Sequence, residues 1–198
     1  MKYVTDTTVL DAISAYGFSG GYVGALGYGF GHINDTYAIY YQMEDGAPKR
    51  YLLQRINTHV FKEPEELMAN VVNITSFLRK KIADEGGDAD RETLNVIPTK
   101  YGHNYYRNYD GNYWRCYRFI EDAFSYQVAE APEHMYQSAR VFGRFQRLLA
   151  DYPADTLHET IPDFHNTPDR FSKFKKALKQ DACGRTKNAQ KEIQFILD

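Results

Sequence analysis

The sequence predicts an α+β protein, in which an antiparallel sheet of about five strands carries one helix and is followed by helices. Runs of strand-forming residues separated by turn residues fill most of the first 120 positions. One segment among them, residues 64–82, instead repeats apolar side chains every three or four residues. After Ala123 the period is helical. We therefore expect a sheet-bearing part, residues 1–122, and a helical part, residues 123–198.

The first third is predicted to form a hairpin that is entered through a glycine-rich loop. Residues 19–31 contain six glycines, too many for a stable helix. Residues 36–42 are rich in strand formers, Asp45 and Gly46 mark a turn, and residues 50–56 return as a second strand.

The remaining elements follow in order. A helix is expected from Pro64, which suits a first helical position, with Glu65 and Glu66 in the first turn, where the helix dipole favours anions. Strands are expected at residues 93–98, 103–107 and 112–120. Helices are then expected over residues 132–150, from Thr167, and in the tail after Thr186.

Composition excludes several classes of function. The formal charge of −2 gives no field for nucleic acid or an anionic membrane surface. No run approaches the ~20 apolar residues that a membrane span needs. Only two cysteines occur, Cys116 and Cys183, which suits a reduced protein. We therefore expect a cytoplasmic protein with no nucleic-acid or membrane partner.

The glycines at positions 27, 29 and 31 precede a strand, so the context is wrong for a Rossmann or Walker phosphate loop. A glycine loop between antiparallel strands, followed by a helix with acidic residues, is the order of a kinase N-lobe. Glycine serves there because backbone N–H groups must approach phosphate oxygens closely. On spacing alone, an ordinary tight turn explains these glycines as well.

Longer segments carry a family resemblance. They are GFGHINDTY at 29–37, YLLQRINTHVF at 51–61, WRCYRFIE at 114–121, FGRFQ at 142–146 and IPDFHNTPDR at 161–170. In this order, over roughly residues 20–175, the chain resembles the N-acetylhexosamine 1-kinase branch of the aminoglycoside-phosphotransferase-like kinases. The resemblance implies a protein-kinase-like N-lobe and the first helices of a C-lobe. It also implies ATP with Mg²⁺, and phosphorylation of a hydroxyl on a small polar molecule.

The resemblance assigns roles to residues of the glycine loop. Gly29 and Gly31 would form the phosphate loop, and Asn34 matches the loop asparagine of the family. His32 would face the sugar substrate or the transferred phosphate, although an exposed loop histidine without a role is the alternative. The segment around His165 is distinctive of the branch, but no mechanism is assigned to it.

Outside the loop, the strand lysine that binds phosphates in kinases is absent. Arg55 is the candidate replacement, with Glu65 or Glu66 as its partner, and a solvated arginine is the alternative. Residues 118–121 take the place of the kinase hinge, so Arg118 and Ile120 would contact the nucleotide through their backbone.

The catalytic loop of the family is missing. None of the six histidines is followed two residues later by aspartate, so we expect no catalytic residue in this chain, and we expect the magnesium ligands in a missing downstream part. The expected function is the nucleotide-binding, N-terminal part of a kinase that phosphorylates the anomeric hydroxyl of an N-acetylhexosamine. Kinases of choline, homoserine or methylthioribose, and a non-catalytic nucleotide- or sugar-binding module, remain alternatives. A homo-oligomer is expected through four exposed C-lobe side chains, Phe142, Phe145, Phe171 and Phe174.

Overall fold

A computed structural model describes residues 3–198, and the chain forms two compact units, Met1–Thr160 and Ile161–Asp198. The helices are α1 (Thr7–Ser14), α2 (Pro64–Asp84), α3 (Ala89–Glu92), α4 (Pro132–Leu148), α5 (Thr167–Gln180) and α6 (Gln190–Leu197). The strands are β1 (Gly21–Gly27), β2 (Asp35–Gln42), β3 (Pro48–Arg55), β4 (Val96–Ile97), β5 (Tyr106–Arg107) and β6 (Tyr113–Arg118). Of the helices within residues 3–198, none is both long and apolar enough to cross a bilayer.

The first unit contains an antiparallel sheet, as predicted, but it has six strands rather than about five. The order is β1-β2-β3-β6-β4, and β5 also pairs with β6. Ile97 lies opposite Cys116, and Tyr106 lies opposite Trp114, so the short strands β4 and β5 share one edge of β6. α2 stands between β3 and the later strands, where the sequence placed it.

One face of the sheet, here called the core face, is covered by α1. Val9, Ala12 and Ile13 of this helix are buried, and they pack in one cluster with residues from four strands. The strand members are Ala25, Ile39, Tyr41, Tyr51, Leu53, Trp114 and Cys116. Asp6 caps the start of the helix, because its carboxylate accepts a hydrogen bond from the Thr8 N–H at 2.8 Å. α1 was not predicted from the sequence.

α2 has the predicted proline at its start and ends at Asp84, before Gly86. Its Leu78 and Ile82 form a second apolar cluster with Leu148 at the end of α4. Most of the other residues of α4 are exposed, and Phe142 and Phe145 have 67% and 45% of their surface accessible. These two side chains are therefore exposed, as expected from the sequence.

The second unit consists mainly of α5 and α6. Asn166 caps the start of α5, because its side chain accepts a hydrogen bond from the Asp169 N–H at 3.1 Å. Phe171 and Phe174 stack on α5 at 6.4 Å between ring centroids, and both are only half-buried.

Candidate functional site

The glycine loop, residues 28–34, follows β1, and a backbone hydrogen bond fixes the position of its first residue. The Tyr28 N–H donates to the Thr36 carbonyl at 2.9 Å, so Tyr28 continues the pairing of β1 with β2. Gly29 has φ +82°, a conformation that other residues adopt only with strain. A Cβ at Gly29 or Gly31 would meet no atom within 4 Å. The loop backbone is therefore open to the approach of a ligand.

Hydrogen bonds of two asparagines connect the C-terminal end of this loop to the segment after β3. The Asn57 N–H donates to the side-chain oxygen of Asn34 at 2.9 Å, and the Asn57 side chain donates to the Ile33 carbonyl at 2.9 Å. Asn34, predicted as the loop asparagine, thus holds the loop in place.

The second face of the sheet, opposite the core face, carries two rows of side chains. Residues directly opposite each other in an antiparallel pair lie on the same face, so the register defines the rows. The first row is apolar: Leu26, Ala38, Leu52 and Tyr117. The second row is polar and nearer the glycine loop: Thr36, Gln54 and Arg115.

The polar row is connected by side-chain hydrogen bonds. Gln54 Nε2 donates to Thr36 Oγ1 at 3.0 Å. Arg115 donates to Gln54 Oε1 from Nε at 3.0 Å and from Nη2 at 2.8 Å. All three side chains are half-buried. The row therefore holds one guanidinium in a fixed orientation on the second face.

An aromatic contact joins the glycine loop to residues 118–121. The rings of Tyr28 and Phe119 meet edge to face, with 5.2 Å between their centroids. The Arg50 guanidinium lies 3.9 Å from the centroid of the Phe119 ring and is ion-paired with Glu121. Tyr28 lies opposite Thr36, a member of the second-face polar row, and its ring meets Phe119 across β2 and β3, so the contact lies over the second face.

Arg55 lies on the core face, because consecutive strand residues point to opposite faces and Gln54 points to the second. It is ion-paired with Asp35, and its guanidinium lies 5.9 Å from the centroid of the buried Trp114 ring. The expected pairing of Arg55 with Glu65 or Glu66 is therefore wrong.

The two glutamates have other neighbours. Glu65 accepts a hydrogen bond from the Tyr113 hydroxyl at 3.2 Å, on the second face. Glu66 Oε1 lies 3.7 Å from His158 Nδ1. The role of Glu66 at a nucleotide stays a prediction.

His32 and Arg55 nevertheless share a cavity of about 430 Å³ at the exit of the glycine loop. Its wall includes Asp35, Asn57, Thr58, His59 and Asn112, so it is mostly polar. The structure thus brings together the two residues that the sequence assigned to sugar and phosphate. Their binding roles stay predictions.

Arg118 lies opposite Tyr51, so its side chain faces away from both rows. The Arg118 side chain is ion-paired with Asp90, which also binds Arg79 at 2.9 Å. The Arg79 hydrogen bond, helped by the charges of both arginines, holds the pKa of Asp90 below its usual range. The Arg118 N–H donates to the Asn95 carbonyl at 2.9 Å. Ile120 comes two residues after the end of β6 and lines an apolar cavity of about 500 Å³ beside α2 and α4.

Residues 3–198 contain no group of three or more histidine, cysteine, aspartate or glutamate side chains suited to holding a metal ion. No family model matches this chain. Gln54 was named from the sequence only as a neighbour of Arg55, and Arg115 was not among the predicted site residues. Strand alternation is the available signal for Gln54, because it points this side chain away from the face of Arg55. The pairing of Gln54 with Arg115 depends on the register of β3 with β6.

Proposed function

We propose that this chain is the nucleotide-binding, N-terminal part of an ATP-dependent small-molecule kinase. The observation that carries the proposal is the meeting of Tyr28 and Phe119 on the second face. This contact brings the glycine loop and the segment 118–121 to the same face of the sheet. A nucleotide that binds to both segments requires them to lie on one face.

The chemistry of the second face suits the parts of a nucleotide. The half-buried Leu26 and Leu52 of the apolar row and the aromatic rings of Tyr28 and Phe119 offer surfaces on which a planar base can pack. The open glycine backbone offers N–H groups to phosphate oxygens. The polar row begins beside the loop at Thr36 and carries a cation, Arg115, at its far end, so base and phosphate would lie along adjacent rows.

For the parent kinase we propose an N-acetylhexosamine as acceptor, phosphorylated at its anomeric hydroxyl. This part of the proposal rests on the segments that resemble the N-acetylhexosamine 1-kinase branch. The polar cavity with His32 and Arg55 supports it, because sugar hydroxyls need many hydrogen-bonding partners. Phosphoryl transfer itself needs a metal site and a substrate-orienting aspartate, and the sequence has no loop of that pattern.

Two glycines allow a matched test of nucleotide binding. Gly29 and Gly46 have φ +82° and +80°, and an added Cβ meets nothing within 4 Å at either position. Gly29 lies in the glycine loop, whereas Gly46 lies in the turn at the opposite end of β2. Substitution by alanine should therefore cost similar backbone strain at both sites.

The measurement is ATP binding to the 198-residue chain by titration calorimetry. We expect Gly29→Ala to weaken ATP binding at least several-fold, and Gly46→Ala to bind ATP like the unsubstituted 198-residue chain. Equal affinities for both variants would remove the loop from the site. Absence of ATP binding to the parent chain would refute the proposed function.

A further inference from the structure

We infer that Arg115 is the phosphate-binding cation of this sheet, taking the place of the strand lysine that the sequence lacks. The ligand class is a di- or triphosphate, and its identification as a nucleotide phosphate chain rests on the proposed function. The inference stands on three observations, which concern orientation, charge and position.

The orientation of Arg115 is fixed by a neutral group. The Gln54 amide nitrogen donates to the Thr36 hydroxyl, and its oxygen accepts from Arg115, so both ends of the amide are hydrogen-bonded and its orientation is fixed. A guanidinium has five N–H donors, and Gln54 occupies donors on only two nitrogens. The remaining donors can bind a phosphate oxygen without a change in the side-chain position, which lowers the entropic cost of binding.

The charge of Arg115 is not neutralised within the described part of the chain. The three other arginines of β3 and β6 are each paired with a carboxylate. These ion pairs are Arg50 with Glu121, Arg55 with Asp35, and Arg118 with Asp90. Among residues 3–198, Arg115 forms no such ion pair; its partners are the Gln54 amide and the Tyr117 ring, at 5.4 Å from the centroid. A half-buried cation of this kind attracts an anion more strongly than an exposed one, because water screens it less.

The position of Arg115 fits a phosphate that lies under the glycine loop. Its row begins at Thr36, whose carbonyl accepts the hydrogen bond from Tyr28 at the loop entrance. Strands are ~4.8 Å apart, so the row from Thr36 to Arg115 spans roughly 10 Å, about the length of a triphosphate. Arg55 offers less, because Asp35 compensates its charge and it lies on the core face.

Two substitutions separate binding from a structural role. Arg115→Gln removes the charge, and Gln54→Glu places a carboxylate against Arg115 and neutralises it while keeping the contact. Arg140→Gln is the control, because this arginine of α4 is exposed and donates to the Gln137 side-chain oxygen at 3.4 Å. Folding of each variant is checked by the fluorescence of Trp114, the chain's single, fully buried tryptophan.

Titration calorimetry with ATP, tripolyphosphate and adenosine gives the readout. Loss of a charge-assisted contact costs about 1.5–3 kcal/mol, so we expect Arg115→Gln to weaken ATP and tripolyphosphate binding roughly 10- to 100-fold. Gln54→Glu should weaken both similarly and remain folded. Adenosine binding and the Arg140→Gln control should not change.

Three results would overturn the inference while leaving the proposed function in place. If Gln54→Glu binds ATP like the parent, Arg115 is a structural residue. If Arg55→Gln weakens ATP binding and Arg115→Gln does not, Arg55 is the phosphate cation. If adenosine binds as tightly as ATP, the base site of the proposed function stands without a phosphate site. Failure of all three ligands to bind would refute the proposed function together with the inference.

Discussion

Asn34 and Asn57 hold the glycine loop against the end of β3. The Asn34 side chain accepts from the Asn57 backbone at 2.9 Å, and the Asn57 side chain returns a bond to the carbonyl before Asn34. The loop between Tyr28 and Asn34 is thus fixed at both ends, while a Cβ added at Gly29 or Gly31 would meet nothing within 4 Å. Such an arrangement keeps the loop backbone exposed without letting the loop move freely.

We predict that Asn34→Ala destabilises the protein and weakens ATP binding. The Asn57 N–H, which is half-buried, loses its partner, at a cost of about 1 kcal/mol. Urea unfolding followed by Trp114 fluorescence measures the stability, and calorimetry measures the affinity. Asn104→Ala, at an exposed position, is the control. An unchanged ATP affinity in a destabilised Asn34→Ala variant would show that the loop anchor does not shape a binding site.

Asp90 is predicted to give stability that depends on pH. Its pKa is lowered by Arg79 first and by Arg118, so its charged form is favoured in the folded protein. The contribution is therefore fully present above the unfolded pKa of about 3.9, and it is lost as pH falls through the lower folded value.

At pH 7 we expect Asp90→Asn to cost about 1 kcal/mol, since the side chain is 44% exposed and pairs of this kind are screened by water. The difference from the parent should shrink as urea unfolding is repeated toward pH 2.5. Glu44→Gln removes an exposed carboxylate from the β2–β3 turn and serves as control. A stability difference that is constant with pH would show that the ion pairs are not its source.

The two cysteines are predicted to differ in reactivity. Cys116 lies in the core cluster, where burial raises the pKa of its thiol, and the thiolate is the reactive form. Cys183 is exposed. Titration with a chromogenic disulfide reagent should find one fast thiol in the native chain and two in denaturant. Cys183→Ser should remove the fast thiol, and rapid reaction of both cysteines in the native parent would contradict the buried position of Cys116.

Periodicity predicted most elements of this fold because long segments keep one period. α2, α4, α5 and the strands β2 and β3 appear within a few residues of their expected bounds. α1 was missed because its eight residues give barely two turns, and its burial depends on the sheet beneath it. The short strands β4 and β5 each pair over only two residues, so their ends depend on β6 and not on their own sequence.

The candidate site was harder to predict than the fold. Charge alone favoured Arg55 over its neutral neighbour Gln54. The register shows that Gln54 shares a face with Arg115, and that Asp35 faces Arg55. Which arginine keeps its charge is decided by contacts across strands, which no local segment reveals. Strand alternation places Gln54 and Arg55 on opposite faces of β3, but it does not show which of these faces is covered by α1.

Self-association is predicted through α4. Phe142 and Phe145 are exposed on a helix of which only Leu148 is buried, and clustered apolar surface favours association. Sedimentation should show concentration-dependent association of the parent chain, reduced in the double variant Phe142→Ser/Phe145→Ser. Tyr109→Ser, which alters an isolated exposed aromatic outside α4, is the control. A parent chain that stays monomeric at all concentrations would contradict this prediction.

The last prediction is that the 198-residue chain transfers no phosphoryl group. Catalysis of this transfer depends on metal ions that neutralise charge between the phosphates and on an aspartate that orients the acceptor hydroxyl. The glycine loop and Arg115 supply phosphate contacts, but the sequence contains no histidine followed two residues later by aspartate.

Binding and turnover should therefore separate in this chain. Incubation with ATP, Mg²⁺ and N-acetylglucosamine or N-acetylgalactosamine should release no more ADP than the same mixture without protein, at concentrations where calorimetry shows ATP bound. ADP release that depends on the sugar, and that is abolished by substituting one of the chain's own aspartates, would contradict the prediction. It would mean that this chain positions metal and acceptor with residues outside the pattern that such kinases use.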